Sequence, residues 1–352
     1  MHRAAGQASP ILQFGEFRLG QVRLPSFRFS SPLFPCLFWD RADLIQRIRL
    51  LPEHCFRSAM SPSVHKPVML REVLQQLQLS AGLTVMDGTV GAGGHSVEIL
   101  SEIGESGQII GFDRDLMMLD FARQRLSAAN TTLIQAPYST ALTELAVAGV
   151  DRVDRVLLDL GLSSDQLCDR ERGFGADAGG NLDMRFDTSA GVSAAEFLRR
   201  CSGEELVRVL GEYGEEPRAQ RIADAILQQR TLSNVETSEE LAEIVRKAVR
   251  SRGSQRYSIA RVFQALRIGV NDELTHLKRM MAGVLTEILR PEGLAVIITF
   301  HSLEDRIVKS AFKGHQGWQV LTKTPLRATP AEVRLNPRSR SAKLRAARWT
   351  GL

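Results

Sequence analysis

The sequence predicts an α/β protein with an open, largely parallel sheet that helices cover on both faces, and with an all-helical domain inserted into it. Two observations carry this prediction. From residue 64 onward, short apolar runs alternate with helical patterns, as in sheets built from strand-helix-strand units. Between residues 168 and 258 the strand signals disappear, and only helical periodicity is left.

The sheet signals lie on both sides of this helical segment. Strands are predicted at residues 83–86, 108–112, 153–158 and 294–300, and helices at 96–101 and 115–126. A long helix is predicted over 263–288, ended by Pro291 and Gly293. We therefore assign 61–167 and 259–352 to the sheet domain and 168–258 to the inserted helical domain.

The first 60 residues differ from the rest of the chain. They hold seven of the fifteen Phe residues and show no sustained helical or strand period. We expect an N-terminal extension that is disordered or lies upstream of the true start, because Met60 stands just before the first well-patterned segment. An organellar presequence is the alternative.

Composition restricts the class of protein. The chain has 352 residues, of which 43% are hydrophobic, enough for a substantial core. No apolar run approaches the roughly 18 to 20 residues that a bilayer crossing needs. The four cysteines are far apart and form no C-x-x-C pair, so neither a metal site nor a disulfide framework is indicated. We expect a cytoplasmic protein without membrane contact.

The C-terminal segment is strongly basic. Residues 306–352 hold eleven Lys and Arg and one acidic residue, Glu332, whereas the whole chain carries a net charge of +5. Such an asymmetry indicates a polyanionic partner. A solubilising tail is the alternative.

A glycine-rich turn, Asp87-Gly-Thr-Val-Gly-Ala-Gly-Gly-His95, leads from the first strand into a helix. Glycines at such a turn let a ligand approach the backbone closely. A dinucleotide fingerprint would need glycine at position 96, where Ser96 stands, and the G-K-[ST] of a phosphate loop is missing. The acidic Asp87 at the head of the turn suits a cationic ligand better than a pyrophosphate.

Asp113 ends the second strand, nineteen residues beyond Gly94. A carboxylate at that place can accept both ribose hydroxyls of a bound adenosine, although a helix N-cap is an alternative role. The turn, Asp87 and Asp113 together predict an adenosine site that prefers a positive centre. S-adenosylmethionine is the ligand with those features.

Two further residues, one acidic and one aromatic, are predicted to lie at strand ends near the ligand. Asp159 ends the middle strand, where it would lie close to a transferred group, and Tyr138 could pack on the adenine. The alternative role of Asp159 is as part of a turn built from Gly and Ser. The alternative role of Tyr138 is to fill the hydrophobic core.

Phe300 and His301 follow the most apolar strand and could stack on a substrate base. Ser302 with Asp305 predicts a capping box for a helix over 305–312.

Several runs of the sequence closely resemble the MraW (RsmH) family of bacterial ribosomal RNA small subunit methyltransferases. The likeness covers nearly all of residues 64–348, and its most specific motif is Phe300-His-Ser-Leu-Glu-Asp-Arg-Ile-Val-Lys309. The other matching runs are 65–70, 87–95, 159–166, 172–174, 182–185, 263–274 and 336–345. The chain departs from the family at Tyr257-Ser-Ile-Ala-Arg261, where His-Pro-Ala-Thr-Arg is usual, and at Gly173-Phe-Gly-Ala176.

The resemblance implies a class I, Rossmann-like S-adenosylmethionine-dependent methyltransferase. The reaction it implies is methylation of the exocyclic N4 of a cytidine in 16S rRNA within the small ribosomal subunit, cytidine 1402 in the usual bacterial numbering. Asp87 and Gly91 of the turn are predicted to bind the cofactor. The resemblance to the family adds seven further cofactor residues: Gly93, Gly94, His95, Asp113, Tyr138, Asp159 and Gln166.

For the transfer itself, Asp159 or the carbonyl of Leu160 is the candidate acceptor that orients the amine. Substrate contacts are assigned to six residues: Phe300, His301, Ser302, Arg338, Arg340 and Lys343. A non-catalytic ribosome-assembly factor, a methyltransferase with another substrate and a nicotinamide oxidoreductase are the alternatives. The oligomeric state is left open, a homodimer included.

Overall fold

The computed structural model describes residues 14–19, 22–27, 66–176 and 179–351, which fall into two units, 1–61 and 62–352. In the first unit, strands Phe14–Leu19 and Val22–Phe27 pair antiparallel, with Phe14 opposite Phe27. The sequence did not predict this pair of strands. The rest of 1–60 lies outside the described residues, and its assignment as an extension stays a prediction.

The second unit contains a seven-stranded sheet. In chain order its strands are β1 (Thr84–Asp87), β2 (Gln108–Asp113), β3 (Thr131–Gln135), β4 (Val153–Asp159), β5 (Leu289–Thr299), β6 (Trp318–Val320) and β7 (Lys343–Trp349). Their order across the sheet is β3-β2-β1-β4-β5-β7-β6. Strands β1 to β5 are parallel, and β7 is antiparallel to both of its neighbours.

The strands form where apolar residues are buried on both faces. Ile109 and Ile110 on β2 and Leu157 and Leu158 on β4 have no exposed surface, as expected for parallel strands between two helical layers. All four predicted strands are present, and their ends differ from the predicted ones by at most five residues. The predicted α/β class with a largely parallel sheet is confirmed.

Helices cover the two faces of the sheet. Those of the sheet region are α1 (Leu70–Leu77), α2 (Gly94–Ile103), α3 (Leu116–Arg125), α4 (Ala141–Val147) and α5 (Ser164–Cys168). The middle of the chain adds α6 (Ala194–Arg200), α7 (Gly203–Glu212), α8 (Ala219–Leu232), α9 (Ser238–Ala248) and α10 (Arg252–Asn271). The remaining helices are α11 (Glu273–Arg279), α12 (Leu285–Ile288), α13 (Ser302–Gly314) and α14 (Pro330–Leu335).

The helices of the middle segment share a hydrophobic cluster of their own. Leu206 and Val245 belong to it, and so do Ile259, Val262 and Leu266 on α10. Helix α10 thus crosses the predicted boundary between residues 258 and 259 while packing with the helical segment. The division into an inserted domain stays a prediction.

The predicted continuous helix over 263–288 is wrong. Helix α10 ends at Asn271, Asp272 adopts a left-handed conformation with φ 50°, and α11 is followed by a π-helical turn, Met280–Val284. The break has a physical cause, because the Asn271 side chain accepts a hydrogen bond from Phe186 N (2.7 Å) and donates one to Met184 O (2.7 Å). These bonds hold the end of α10 against a loop 85 residues earlier, and the sequence pattern does not record such a contact.

Strand β7 corrects the interpretation of the basic C-terminal segment. Residues 343–349 form a strand between β5 and β6, with Leu344, Ala346 and Ala347 buried. Arg345 is buried as well, and its Nε lies 2.7 Å from Asp305 Oδ1. Residues 343–349 are therefore part of the folded sheet. The buried positive charge of Arg345 is offset by its ion pair with Asp305.

Gly173 offers a test of the loop between α5 and α6. Its φ is +64°, and a Cβ there would lie 2.1 Å from the backbone oxygen of Asn181. We expect Gly173→Ala to lower the free energy of unfolding by about 3 kcal/mol or more, measured by urea denaturation. Gly191→Ala is the control, because φ is +72° there but no atom lies within 4 Å of the new Cβ, so about 1 kcal/mol is expected. Equal losses would contradict the steric argument.

Two features are absent from the residues that the structure describes. No helix among them is both long and apolar enough to cross a membrane. No three or more of their His, Cys, Asp and Glu side chains form a group suited to a metal ion.

Candidate active site

A cavity of about 930 Å³ lies at the carboxyl ends of β1, β2, β4 and β5, where α10 forms the facing wall. Asp113, Asp159 and His301 line it from the sheet, and Arg252 and Phe263 line it from α10. Open α/β sheets bind their ligands at this edge. The volume is at the upper end of the range for small-molecule sites, so the cavity can take more than a single small group.

Most of the predicted site residues meet in this cavity. Those that line it are Gly91, Gly94, His95, Asp113, Tyr138, Asp159, Gln166, Phe300, His301 and Arg338. Those that do not are Asp87, Gly93, Ser302, Arg340 and Lys343.

Asp87 organises the glycine turn from beneath. It is buried, and its carboxylate accepts hydrogen bonds from Ser96 Oγ (2.7 Å) and Thr89 N (3.2 Å). Burial raises its pKa to about 6, although both hydrogen bonds act in the opposite direction. Ser96, at the position where a dinucleotide fingerprint needs glycine, is therefore the partner of this carboxylate.

Asp113 is held in place at the end of β2. Its Oδ2 accepts a hydrogen bond from Gly91 N and its Oδ1 one from Asp115 N, both at 2.9 Å. Burial raises the pKa of Asp113 to about 7, and the nearby charges of Asp115 and Asp87 add to this while the two hydrogen bonds oppose it. Each oxygen keeps a lone pair with which it could accept a ligand hydroxyl. The N-cap of α3 is Asp115, whose Oδ1 accepts from Met117 N.

Asp159 carries a buried acceptor without a partner. No hydrogen-bond donor in the described residues reaches its Oδ1, and its Oδ2 lies 3.7 Å from His95 Nδ1. Burial raises the pKa of Asp159 well above its usual value; Asp87 raises it further, and Arg338 lowers it. An unsatisfied buried carboxylate oxygen is costly, and a ligand that donates a hydrogen bond or carries positive charge would remove that cost.

Close packing shapes the wall around Tyr138. A Cβ at Gly88 would lie 2.3 Å from Leu158 Cδ2 and 3.0 Å from Tyr138 Cβ, so only glycine lets the turn come this close. Burial raises the pKa of Tyr138, and the phenol stays protonated. The ring contributes an apolar surface to the cavity.

Gln166 is buried and fully engaged. Its Oε1 accepts a hydrogen bond from Ser163 N (2.9 Å), which closes a capping box at the start of α5. Its Nε2 donates to Asp115 Oδ2 (2.8 Å), which also accepts a hydrogen bond from Arg172 Nη2 (2.9 Å). In the sequence, Arg172 stands out only as part of a motif, and this network was not predicted. The Ser163-x-x-Gln166 spacing was a readable signal for the cap, but nothing in the sequence points from Arg172 to Asp115.

The predicted Ser302–Asp305 capping box is wrong. Glu304 folds back instead, and its Oε2 accepts hydrogen bonds from Phe300 N (2.8 Å) and His301 N (3.3 Å). Asp305 is unavailable because it pairs with Lys343 and Arg345. Burial alone would raise the pKa of Glu304, but His301, Arg267 and the Phe300 N–H hold it below its usual value.

Helix α13 thus begins at Ser302, and its first turn is fixed beside the cavity. Ser302 itself hydrogen-bonds Glu215. Phe300 and His301, just before the helix, and Glu304 in its first turn line the cavity.

The three basic residues assigned to substrate contacts are in different environments. Arg338 lines the cavity but donates to Ser164 Oγ (2.8 Å) and Leu162 O (3.0 Å). Lys343 pairs with Asp305 (3.1 Å), and Arg340 is exposed outside the cavity. The arginines at the start of α10, which sequence analysis did not single out, are part of the lining.

Comparison with known proteins decides the family. The family model described as the MraW methylase family matches residues 62–350. The chain belongs to the MraW methylase family. It is therefore a methyltransferase, and the predicted class I sheet is the architecture that carries its site.

The MraW relatives cover the same part of the chain. Ribosomal RNA small subunit methyltransferase H from Elusimicrobium minutum is 42% identical, over 82% of this chain and 99% of its own. The protein of that name from Deinococcus deserti is 44% identical, over 81% of this chain and 93% of its own. Among solved structures, a putative rRNA-methylase from Clostridium thermocellum aligns with a TM-score of 0.39 and 13% identity, over 80% of this chain and 98% of that one.

Proposed function

We propose that this methyltransferase transfers a methyl group from S-adenosylmethionine to the exocyclic N4 of a cytidine in 16S rRNA, cytidine 1402 in the usual bacterial numbering. The names of the MraW relatives support rRNA of the small subunit as the substrate. The observation that carries the proposal is the buried Oδ1 of Asp159, for which the described residues supply no hydrogen-bond donor, in the cavity that Asp113 and His301 also line. A cytoplasmic enzyme acting on the small ribosomal subunit follows from this substrate.

The residues of the cavity fit S-adenosylmethionine. Asp113 offers acceptors for ribose hydroxyls, and Tyr138 offers an apolar face, which the close packing at Gly88 holds against the turn. Asp113 and Asp159 line this end of the cavity, and a cationic ligand favours their ionised forms, whereas a pyrophosphate would be repelled by them. When bound, the cofactor supplies an electrophilic methyl group on a positively charged sulfur.

The chain's own residues would prepare the amine. The lone pair of a cytosine amine is delocalised into its ring, so an acceptor for an N–H localises it and stabilises the positive charge that develops. Asp159 Oδ1 is the acceptor that the geometry favours, and the carbonyl of Leu160 lies beside it on the same wall. Phe300 and His301 line the same cavity and would hold the base by stacking. Alignment of the two reactants in a closed site is worth about 7 to 11 kcal/mol of barrier.

The test is methyl transfer to small ribosomal subunits that lack the modification. With labelled S-adenosylmethionine, we expect label in 16S rRNA, and mapping should place it on N4 of one cytidine. Label in protein or small molecules would assign another substrate class to the enzyme. Cofactor binding without transfer would indicate an assembly factor without turnover.

Cofactor binding should depend on pH through Asp113. Because the pKa of Asp113 is about 7, its carboxyl group is mostly protonated at pH 6 and ionised at pH 8. Only the ionised form accepts hydroxyls at both oxygens, so affinity should rise about tenfold between these pH values. Calorimetric titration with S-adenosylmethionine measures this rise. Asp113→Asn should bind more weakly with a flatter profile; an affinity that falls with pH in the unsubstituted protein would contradict the assignment.

A further inference from the structure

Helix α10 forms a continuous wall from solvent to the interior of the cavity. Arg252, Arg256, Ile259, Phe263 and Arg267 all line it, and their spacing of three or four residues places them on one helix face. Arg252 and Arg256 are exposed, whereas Phe263 is buried and Arg267 pairs with Glu273 at 2.8 Å. The helix therefore leads from a charged outer end to the reaction site.

The two outer arginines, Arg252 and Arg256, have no partner among the residues that the structure describes. Within the described part of the chain, no carboxylate lies within ion-pair distance of Arg252 or Arg256, and neither side chain makes a hydrogen bond. Arg246 lines the cavity nearby, but it pairs with Glu243 at 3.2 Å. Two exposed guanidinium groups at a cavity rim are suited to a phosphate chain.

The basic residues of the C-terminal segment are bound differently. Arg338 is committed to Leu162 and Ser164, and Lys343 and Arg345 share Asp305. Their charges hold the sheet and its loops together. Only the exposed members of this segment, such as Arg334 and Arg340, keep solvated side chains, and both lie outside the cavity lining.

An exposed aromatic residue follows the outer arginines on α10. Tyr257 comes directly after Arg256, 68% of its surface is exposed, and it lies outside the cavity lining. Exposed aromatic rings near cationic side chains are suited to single-stranded nucleic acids, which stack their bases on the rings. The opposite end of the cavity carries the acidic side chains Asp113 and Asp159, whose ionised forms attract the cationic cofactor and repel a polyanion.

We propose that the rRNA strand enters the cavity over the first two turns of α10, with Arg252 and Arg256 binding its phosphates and Tyr257 stacking on a base next to the target. This inference rests on the proposed function, since it takes rRNA as the substrate. The C-terminal basic segment then contributes mainly to the fold.

The test compares charge-matched double variants of the full chain. The probe is a fluorescently labelled 16S rRNA fragment that contains the target cytidine, and its binding is followed by anisotropy over a range of salt concentrations. For R252Q/R256Q we expect about tenfold or weaker binding, and a salt dependence shallower by about 1.4 in log–log slope, 0.7 for each lost contact with single-stranded RNA. Affinity for S-adenosylmethionine should be unchanged in calorimetry.

Two other pairs control for overall charge. R152Q/K313Q removes the same charge from exposed residues outside the cavity, Arg152 before β4 and Lys313 at the end of α13, and should bind RNA like the unsubstituted protein. R334Q/R340Q removes two positive charges from the C-terminal segment. Its RNA affinity should fall less than that of R252Q/R256Q. For Tyr257, we expect Y257A to bind about fivefold or more weakly and Y257F to keep its affinity.

Equal losses in R252Q/R256Q and either control pair would overturn the entry path, and so would a larger loss in R334Q/R340Q. Equal affinities of Y257A and Y257F would overturn the stacking role. A further assay separates these outcomes from failure of the proposed function. The unsubstituted protein of the same preparation is tested for methyl transfer to unmodified small subunits. If the proposed function is wrong, it will transfer no methyl group to 16S rRNA.

Discussion

Asp159→Asn is expected to lower kcat for methyl transfer by about 100-fold or more at saturating S-adenosylmethionine. The amide keeps the size of the side chain but loses the charge that stabilises a positively charged amine, and preorganised acceptors of this kind are worth roughly 2.7 to 4 kcal/mol. The Oδ1 atom has no donor in the described residues, so the substitution breaks no hydrogen bond there. Transfer of labelled methyl groups to unmodified small subunits measures the effect. Full activity of the variant would show that the carboxylate has no part in the reaction.

The stability of the same variant separates catalysis from packing. Burial raises the pKa of Asp159, so the protonated carboxyl stabilises the fold below the unfolded pKa of about 4, and this stability is lost as pH rises through the folded pKa. Asn cannot ionise, and Asp159→Asn should therefore resist urea better than the unsubstituted protein at pH 8, with the difference vanishing near pH 4. Asp120→Asn, at an exposed ion pair with Arg123, should change neither activity nor stability. Loss of stability together with activity would instead indicate a packing role for Asp159.

Arg172→Met is expected to cost about 3 to 5 kcal/mol of unfolding free energy, measured by urea denaturation. The Arg172–Asp115 pair is buried on both sides, with side-chain exposures of 8% and 3%, and removing one partner leaves the other charge uncompensated. Arg172 also donates to Arg185 O (2.6 Å) and Phe186 O (3.0 Å), and these carbonyls would lose a donor. The pair joins the start of α3 to the loop between α5 and α6.

A double variant distinguishes charge from packing in this pair. Adding Asp115→Asn to Arg172→Met removes the isolated carboxylate, so the double variant should recover part of the lost stability. Arg199→Met, which breaks an exposed pair with Glu196 on α6, should cost less than about 1 kcal/mol. If Arg172→Met were as stable as Arg199→Met, the buried pair would have no net role in holding the loop.

The sheet and its ligand edge could be predicted because their signals are local. Apolar runs such as 153–158 mark buried strands, and the polar residue after each run, such as Asp113 or Asp159, lies at the carboxyl edge where parallel strands bring such residues together. The glycine turn could be predicted because a tight turn that a ligand approaches closely needs glycine, whichever ligand binds. The prediction of a cationic ligand came from the acidity of Asp87, and this residue supports the turn without lining the cavity.

What the sequence did not predict depends on contacts between distant residues. Lys343 and Arg345 look like a solvated basic tail until Asp305 is placed beside them. The break after Asn271 depends on Met184 and Phe186. The partner of Arg172 lies 57 residues away. Pattern periodicity describes which face of an element is apolar, and it carries no information on which loop supplies the matching hydrogen bonds.

The position of β7 constrains how the protein is made. This strand comes after all the others of its sheet in the chain, yet it lies between β5 and β6. During translation, β5 therefore waits with one side unpaired until residues 343–349 have left the ribosome, and its run Ala295-Val-Ile-Ile298 is the kind of open edge that other chains can join. A nascent chain stalled before residue 343 would be a natural client for chaperones that shield apolar segments, and the pairing of β7 with β5 would be the step that closes this edge.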